Sequence, residues 1–265
     1  MLDVKLQRMT QLFKELGSVL VAYSGGIDST LVMKVAHDAL GPKAIAVTAV
    51  SPTFPEIELE TARRVAAQVG AHHLIVDTNQ LASPDFVRNE ADRCYHCKTD
   101  LYQGLAQLQR DLKIGAMVDG TNLDDLGDDR PGMTAAKEWG VRSPLVEAAL
   151  SKEEVRTLAK TLGLSNWDKP AAACLSSRIP RGVAITQAKL SRIERAEAAL
   201  FREGLRQFRV RDHGEVARIE VAGQELPAML DEERRARVTA ALKALGFRFV
   251  TLDLDGYRRG GGNKT

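Results

Sequence analysis

Apolar positions follow two alternating patterns along the first two thirds of the chain. Short apolar runs of strand length alternate with segments in which apolar residues recur every three or four positions, as in helices. The strand-like runs are Val19 to Tyr23, Ala44 to Val50, His72 to Asp77 and Ala116 to Asp119. The helical segments are Val4 to Leu16, Asp28 to Leu40, Pro55 to Val69, about Cys97 to Leu112, and Ser151 to Leu162. This alternation predicts an α/β fold with a doubly wound parallel sheet, which binds ligands beyond the carboxyl ends of its strands.

A second pattern begins after an irregular segment from Asn166 to Gly182. Its elements are a helix from about Thr186 to Arg202, strands near Gln207 to Asp212 and Val216 to Val221, a helix within Asp231 to Leu245, and a strand from Phe247 to Leu254. Helices and strands in this order predict a small α+β domain. We therefore expect two domains, residues 1–180 and 181–265.

Composition narrows the class of protein. Lys and Arg total 37 against 35 Asp and Glu, so no strong field favours nucleic acid. No apolar run reaches membrane-span length and the first residues do not form a secretory signal, so we expect a cytoplasmic protein without a membrane partner. We also expect it to form a homo-oligomer. The three cysteines argue against a disulfide framework and leave metal binding or sulfur chemistry as the alternatives.

The segment S-G-G-I-D-S, residues 24–29, joins the first strand to the next helix. Its candidate nucleotide ligands are Ser24, Gly25, Gly26, Asp28 and Ser29. A glycine turn that opens a helix directs unpaired N–H groups and the helix dipole at one point, and the serine hydroxyls add donors. We assign Asp28 to Mg²⁺, with helix capping as the alternative. The segment is predicted to bind the phosphates of ATP, unless it is a serine-rich turn that only caps a helix.

The spacing of this segment matches neither G-x-x-x-x-G-K-[ST] nor G-x-G-x-x-G, which disfavours a kinase or a dehydrogenase. It resembles the PP-loop signature of the ATP pyrophosphatase superfamily, whose members cleave ATP between the α- and β-phosphates. A second strand end, Asp119 to Asn122, faces the same crevice, and Gly120 would allow backbone to approach the nucleotide. The acids that follow, Asp124, Asp125, Asp128 and Asp129, fit a solvated loop at least as well as a Mg²⁺ site.

Cys94 and Cys97 are three positions apart, and Cys174 lies in the irregular segment that we expect over the nucleotide crevice. Three thiolates suit a 4Fe-4S cluster with one open iron, and His96 is poorly placed to complete a zinc site. Unligated buried thiols, zinc and a redox dithiol remain open alternatives.

Arg209 and Arg211 stand two apart on a predicted strand, so both side chains face one side of it. Paired guanidinium groups suit a phosphate or carboxylate, although a surface salt-bridge strand would look the same. Lys98, Ser177 and Arg178 add donors, which together favour an anionic small-molecule substrate.

An ordered set of motifs resembles the LarE family over nearly the full length. The motifs are S-G-G-I-D-S, D-D-R-P-G at 128–132, C-L-S-S-R-I-P at 174–180, F-R-V-R at 208–211 and T-L-D-L-D-G-Y-R at 251–258. The family is the ATP-dependent sulfur transferase of nickel-pincer nucleotide biosynthesis, whose product is the cofactor of lactate racemase. The resemblance implies that ATP adenylates the carboxylates of pyridinium-3,5-biscarboxylic acid mononucleotide and that sulfur then replaces AMP.

The resemblance also implies roles for single residues. Lys98, Ser177, Arg209 and Arg211 would hold the substrate phosphate or carboxylates, and Glu197 falls where the family has a functionally implicated Glu. One branch of the family gives up the sulfur of a cysteine, but that position is Ala173 here and the nearby thiol is Cys174. The three cysteines fit another branch, in which a 4Fe-4S cluster delivers sulfur.

Other functions remain possible from the sequence. A PP-loop tRNA sulfur transferase is disfavoured by the near-neutral charge, and an amide-forming PP-loop ligase would leave the thiols without a purpose. An ATP- or AMP-binding regulatory module would bind ATP without releasing pyrophosphate. The immediate sulfur donor is not determined by the sequence.

Overall fold

A computed structural model describes residues 2–126, 131–170 and 172–258. The helices in these ranges are α1 (Leu2–Leu16), α2 (Ile27–Leu40), α3 (Glu56–Val69), α4 (Pro84–Val87), α5 (Arg93–Leu112), α6 (Pro131–Glu138), α7 (Pro144–Glu147), α8 (Lys152–Thr161), α9 (Gln187–Arg202), α10 (Leu226–Met229) and α11 (Glu232–Ala244). The strands are β1 (Val19–Ala22), β2 (Ala44–Val50), β3 (His72–Asp77), β4 (Ala116–Val118), β5 (Phe208–His213), β6 (Val216–Val221) and β7 (Phe249–Leu252). None of the helices in the described ranges combines the length and apolar character needed to cross a membrane.

The chain divides into two compact units. The first comprises Met1–Gln80 and Asp92–Ala172, and the second comprises Leu81–Ala91 and Ala173–Thr265. The sequence placed one boundary at residue 180, whereas two segments before that position, 81–91 and 173–180, lie with the second unit.

Contacts of Asn89 explain why residues 81–91 lie with the second unit. Its backbone has a φ of 60°, and its buried side-chain amide donates to the carbonyls of Ile179 (3.3 Å), Pro180 (2.8 Å) and Val183 (3.1 Å). The N–H of Gly182 in turn donates to the Asn89 carbonyl at 3.2 Å. These contacts join residues about 90 positions apart, which a local pattern of apolar residues does not encode.

The first unit confirms the predicted doubly wound parallel sheet. Its strand order is β3-β2-β1-β4, with every pair parallel. The chain moves outward from β1 to β3 and then returns to the other side of β1. The gap between β1 and β4 is therefore the point where the strand order reverses, and ligands of such sheets bind at the carboxyl ends there.

The core on both faces of this sheet explains the continuous apolar runs. Val19 and Val21 face one side, where they pack in a cluster with Phe13 of α1. Leu20, between them, packs in a different cluster with Tyr102 of α5. Because successive side chains of a strand point to opposite faces, a sheet covered on both sides needs apolar residues at every position.

The second unit contains a three-stranded sheet in the order β5-β6-β7, in which β6 is antiparallel to β5 and parallel to β7. Its core includes Val210, Ile219, Leu200 from α9 and Leu242 from α11. This arrangement agrees with the predicted helices and strands of a small α+β fold.

Some elements differ from the sequence prediction. Helix α5 begins at Arg93, four residues before the predicted start. Its first turn is polar and carries no apolar repeat, so the sequence pattern did not reveal this turn. The helices α4, α6, α7 and α10 were not predicted, since segments of four to eight residues are too short to display a helical period.

Candidate active site

The segment 24–29, here called the glycine loop, lies at the carboxyl end of β1 and leads into α2. The Ser29 hydroxyl accepts from the Ser24 N–H at 3.2 Å and donates to the Gly26 carbonyl at 3.1 Å. The Ser24 hydroxyl lies 3.2 Å from the Ser29 hydroxyl. Gly26 caps α2 without a side-chain bond, so the start of the helix keeps backbone donors available for an anion.

Gly25 needs to be glycine for two reasons. Its φ is +70°, in the left-handed region that side chains disfavour. A Cβ at this position would also lie 3.0 Å from the Cβ of Ala62 in α3. The tight turn of the glycine loop therefore depends on the absence of a side chain here.

Gly120, which follows β4, has a packing role that the sequence did not predict. A Cβ there would lie 2.7 Å from the Ser29 backbone nitrogen and 3.0 Å from its Cα. The backbone after β4 thus approaches the first turn of α2 closely, and glycine is required by this packing. The prediction that Gly120 also approaches a nucleotide remains a prediction.

Asp28 lies in the first turn of α2 and forms an ion pair with Lys152. One carboxylate oxygen accepts from the Lys152 ammonium and the other from the Asn122 side-chain amide at 3.2 Å. Both side chains of the ion pair are largely shielded from solvent. Lys152 places a cation beside a loop that has no lysine of its own. Sequence reasoning did not identify this residue, because it is 124 positions from Asp28.

The acidic residues after Gly120 bond to nearby backbone groups. Asp124 accepts from the Lys152 backbone N–H at 2.8 Å, and Asp125 accepts from the Asn122 N–H at 3.2 Å. Asp128 and Asp129 lie outside the described residues. Among the described residues, no three His, Cys, Asp or Glu side chains form a group that could hold a metal ion.

Lys98 projects from α5 beside the end of β4. Its ammonium is 5.4 Å from the centre of the Tyr102 ring. Burial acts to lower the pKa of Lys98, but Tyr102, Asp119 and Cys97 outweigh it and raise the pKa above its usual value. A Cβ on Gly132 would lie 3.1 Å from Lys98 Cγ, so this glycine of the D-D-R-P-G motif makes room for the lysine.

Cys94 and Cys97 lie one turn apart at the start of α5, with Cys94 exposed and Cys97 half-buried. The Arg93 guanidinium approaches the Cys94 sulfur at 3.8 Å. His96 lies 3.1 Å from the Asp92 carboxylate. Cys174 belongs to the second unit, and all three cysteines are free of disulfides.

Cys174 precedes a 3₁₀ turn, Leu175–Arg178, and is half-buried. Its carbonyl accepts from the Ser177 hydroxyl at 2.8 Å and from the Arg178 guanidinium at 2.9 Å. Ser177 and Cys174 are therefore held together by one backbone oxygen.

Three arginines gather around this turn and form what we call the arginine cluster: Arg178, Arg209 and Arg211. Arg178 is 3% exposed and forms two 2.9 Å bonds to the carboxylate of Glu197. Glu197 also accepts from the backbone N–H of Val210 at 3.0 Å, which ties α9 to β5. Glu197 thus orients Arg178 in this structure, whereas its predicted catalytic role remains a prediction.

The two arginines of β5 are held differently. Arg211 is 7% exposed, bonds to Glu220 through two nitrogens (2.9 and 2.8 Å), and donates to the Ser177 carbonyl at 2.6 Å. The Arg209 guanidinium lies 5.0 Å from the centre of the Tyr257 ring. Burial, and next the positive charge of Arg178, lower the pKa of Arg209. Glu197 and Glu220 offset two of the three positive charges, so the cluster with these two carboxylates carries a net charge of +1.

The structure places most of the predicted residues in two groups, while Cys94, Cys97 and Lys98 lie on α5 of the first unit. One, in the first unit, contains Ser24, Gly25, Gly26, Asp28, Ser29 and Gly120. The other, in the second unit, contains Cys174, Ser177, Glu197, Arg209 and Arg211. Sequence reasoning missed Lys152, Asn122 and Asn166, whose side chains contact the first group from distant parts of the chain.

Comparison with known proteins gives four findings. The profile of a family described as asparagine synthase matches residues 7–97. Over 98% of the chain, the sequence is 47% identical to an uncharacterised protein of Synechocystis sp., of which 97% is covered. Over its whole length, it is 38% identical to pyridinium-3,5-bisthiocarboxylic acid mononucleotide synthase of Lactiplantibacillus plantarum, of which 95% is covered. A glutamine-hydrolysing GMP synthase of Aeropyrum pernix is 27% identical over 76% of the chain, with only 43% of that protein covered.

Proposed function

This chain belongs to the family of pyridinium-3,5-bisthiocarboxylic acid mononucleotide synthase, the LarE family, and we propose that it is an ATP-dependent sulfur transferase. Its substrate would be pyridinium-3,5-biscarboxylic acid mononucleotide, whose carboxylates become thiocarboxylates. The observation that carries the proposal is the glycine loop at the strand-order reversal, with a lysine supplied to Asp28 from a distant helix.

The proposed reaction has two steps. A substrate carboxylate oxygen attacks the α-phosphorus of ATP, and pyrophosphate leaves to give an acyl adenylate. A sulfur nucleophile then attacks the activated carbon, and AMP leaves with the bonding electron pair to give the thiocarboxylate. Adenylation is needed because a carboxylate has a delocalised charge and no good leaving group.

Residues of the first unit would bind ATP. The N–H groups at the start of α2 and the hydroxyls of Ser24 and Ser29 would hold phosphate oxygens. The Lys152 ammonium would leave its ion pair with Asp28, bind the phosphates and offset the charge of the departing pyrophosphate.

Asp28 fits a Mg²⁺ ligand in this scheme. Mg²⁺ commonly binds one or two carboxylates, with substrate phosphates and water as its other ligands, so a group of three acidic side chains is not required. Both oxygens of Asp28 accept from polar donors, Lys152 and Asn122, so the carboxylate is held in position at the loop. The ion would polarise the phosphates of ATP.

The second unit would bind the substrate anion. Ser177, Arg209 and Arg211 are proposed to hold its phosphate or carboxylates, because guanidinium groups suit such anions and the three arginines of the cluster outnumber Glu197 and Glu220, the two carboxylates that pair with them. Lys98, which lies in the first unit, is assigned the same role from the family resemblance. We propose that the first unit is the adenylating domain and that the second unit is the substrate domain.

For the sulfur source, we propose that Cys94, Cys97 and Cys174 hold a 4Fe-4S cluster. Two of the thiols lie one helical turn apart, and soft thiolate ligands suit iron-sulfur clusters. When bound, such a cluster would offer an open iron that can carry an additional sulfide. A reducing cytoplasm would keep the thiols available, and a sulfur donor would reload the site.

Two measurements separate the possible sulfur sources. Anaerobically reconstituted protein should be brown and contain iron, and replacing any of the three cysteines by serine should bleach it. A colourless, iron-free protein would reject the cluster. Mass spectrometry after turnover should find Cys174 intact, whereas a loss of its sulfur would mean that the cysteine is sacrificed.

The function itself is tested with the purified protein, ATP, Mg²⁺, the biscarboxylic acid mononucleotide and sulfide. We expect substrate-dependent pyrophosphate release and a mass gain that corresponds to exchange of oxygen for sulfur. Amide formation with ammonia, or sulfur incorporation into tRNA, would overturn the proposal in favour of the other PP-loop chemistries. ATP binding without pyrophosphate release would indicate a regulatory module. Size-exclusion chromatography of the same sample tests the expected homo-oligomer.

A further inference from the structure

Asn166 lies beneath the glycine loop, although it is 141 positions further along the chain. Its side chain is 4% exposed. The amide nitrogen donates to the Gly25 carbonyl at 3.0 Å and to the Thr30 hydroxyl at 2.9 Å. Asn166 follows α8 and contacts both the turn and the first turn of α2.

The orientation of this amide is determined by its partner. The Gly25 carbonyl can only accept a hydrogen bond, so the nitrogen of Asn166, and not its oxygen, must face it. The side-chain oxygen is buried and finds no donor among the described residues. An apolar side chain would avoid this unbonded oxygen, but it would leave the buried Gly25 carbonyl without its donor.

The bond to Gly25 also determines the direction of the next N–H group. In a planar trans peptide, the carbonyl oxygen of residue 25 and the N–H of residue 26 point in opposite directions. With the carbonyl held on buried Asn166, the Gly26 N–H faces the Ser24 hydroxyl, 3.4 Å away on the exposed side of the loop. Neither glycine has a Cβ, so this peptide can rotate with little steric hindrance unless it is held.

We propose that Asn166 is a positioning residue for nucleotide binding: it holds the Gly25–Gly26 peptide so that the Gly26 N–H faces the phosphates of ATP. In the opposite orientation, the Gly25 carbonyl oxygen would face the phosphates and repel them. A donor held in place before binding costs no reorganisation when the anion arrives. The inference rests on the proposed binding of ATP by the glycine loop.

Two variants of nearly the same size remove the donor. Asn166→Asp replaces it with a charged acceptor, and Asn166→Leu with an apolar group. We expect either change to weaken ATP and inorganic pyrophosphate binding about tenfold or more, measured by calorimetry, with unchanged affinity for the substrate mononucleotide. Thr30→Val is the matched control, because it removes the second partner of Asn166 and leaves the bond to Gly25. Its ATP affinity should stay close to that of the wild type.

Thermal unfolding of each variant shows whether the fold is intact. The wild-type protein supplies an independent measurement if a variant does not fold: the ¹⁵N–¹H signal of Gly26 should shift when pyrophosphate or Mg·ATP is added. Folded Asn166 variants with wild-type ATP affinity, or a Gly26 signal that stays in place while ATP binds, would overturn the inference. A wild-type protein that does not bind ATP at all would instead overturn the proposed function on which the inference rests.

Discussion

The glycine loop and the arginine cluster differ in the kind of hydrogen-bond donor that they would offer to an anion. The glycine loop uses backbone N–H groups and neutral hydroxyls, with a single ion pair between Asp28 and Lys152. The arginine cluster uses charged side chains, which carboxylates hold in place: Glu197 for Arg178 and Glu220 for Arg211. The first arrangement is determined mostly by the path of the chain, and the second depends on partners that fold beside it.

This difference has a physical consequence for each region. Only substitution by proline removes a backbone donor, so other changes disturb the glycine loop by adding atoms or by removing groups that orient it. Buried arginines are stabilised by their carboxylates, and loss of either partner leaves an uncompensated charge. The predictions below test whether the two regions can be disturbed separately.

The largest effect is expected in the glycine loop, from Asp28→Ala. Loss of the proposed Mg²⁺ ligand should lower the rate of pyrophosphate release by about 100-fold or more, while the thermal unfolding midpoint stays close to the wild-type value. Asp38→Ala is the control, because Asp38 lies on the same helix and also pairs with a lysine, Lys34. Undiminished release by the Asp28 variant would contradict the Mg²⁺ role.

A smaller effect is expected in the arginine cluster, from Arg211→Gln. Loss of the proposed charge-assisted bond from Arg211 to the substrate anion should raise the KM for the substrate mononucleotide about 10- to 100-fold and leave ATP affinity unchanged. Glu220 retains a bond from Arg218 at 3.0 Å, which limits the cost to the fold. The exposed Arg195 on α9 provides the control variant Arg195→Gln. An equal loss of affinity for ATP and substrate would show that the two regions do not act separately.

Gly120→Ala tests the packing beneath the glycine loop. The added Cβ would meet backbone atoms of Ser29 at 2.7 and 3.0 Å, which cannot move as a flexible side chain can. We expect a loss of about 1–3 kcal/mol in the free energy of unfolding. Gly104→Ala is the control, because that helical glycine has open space at the Cβ position and should gain about 0.5–1 kcal/mol. Chemical denaturation measures both, and equal stabilities would contradict the close approach.

The smallest effect concerns Tyr23, which directly precedes the glycine loop. Burial raises its pKa to about 12. Because the unfolded chain then loses the phenolic proton first, stability is fully present below pH 10 and falls as the pH rises towards 12. We expect about 1 kcal/mol of additional loss by pH 11 in the wild type relative to Tyr23→Phe, measured by denaturation at each pH. Parallel curves for the two proteins would contradict this assignment.

Features that depend on neighbouring residues were predictable from the amino-acid sequence. Apolar runs predicted β1 to β4 and their parallel sheet. In the inner strand β1 this run is unbroken, because a strand covered on both faces needs apolar residues at every position. The strand-loop-helix position of residues 24–29 also followed from the local pattern. The start of α8 is equally local, since Ser151 and Glu154 form a capping box in which each side chain bonds to the other residue's backbone N–H group.

The distant residues that complete these local features were not predictable from the sequence and became known from the fold. Lys152 pairs with Asp28, Asn166 holds Gly25, Glu220 holds Arg211, and residues 81–91 join the second unit. The sequence could indicate that Arg209 and Arg211 share a face of β5, but not which carboxylate each would find. Capping, periodicity and turns are determined by residues a few positions apart, whereas such pairs form when folding brings separate elements together. A buried charge or carbonyl then acquires the partner that the fold places beside it.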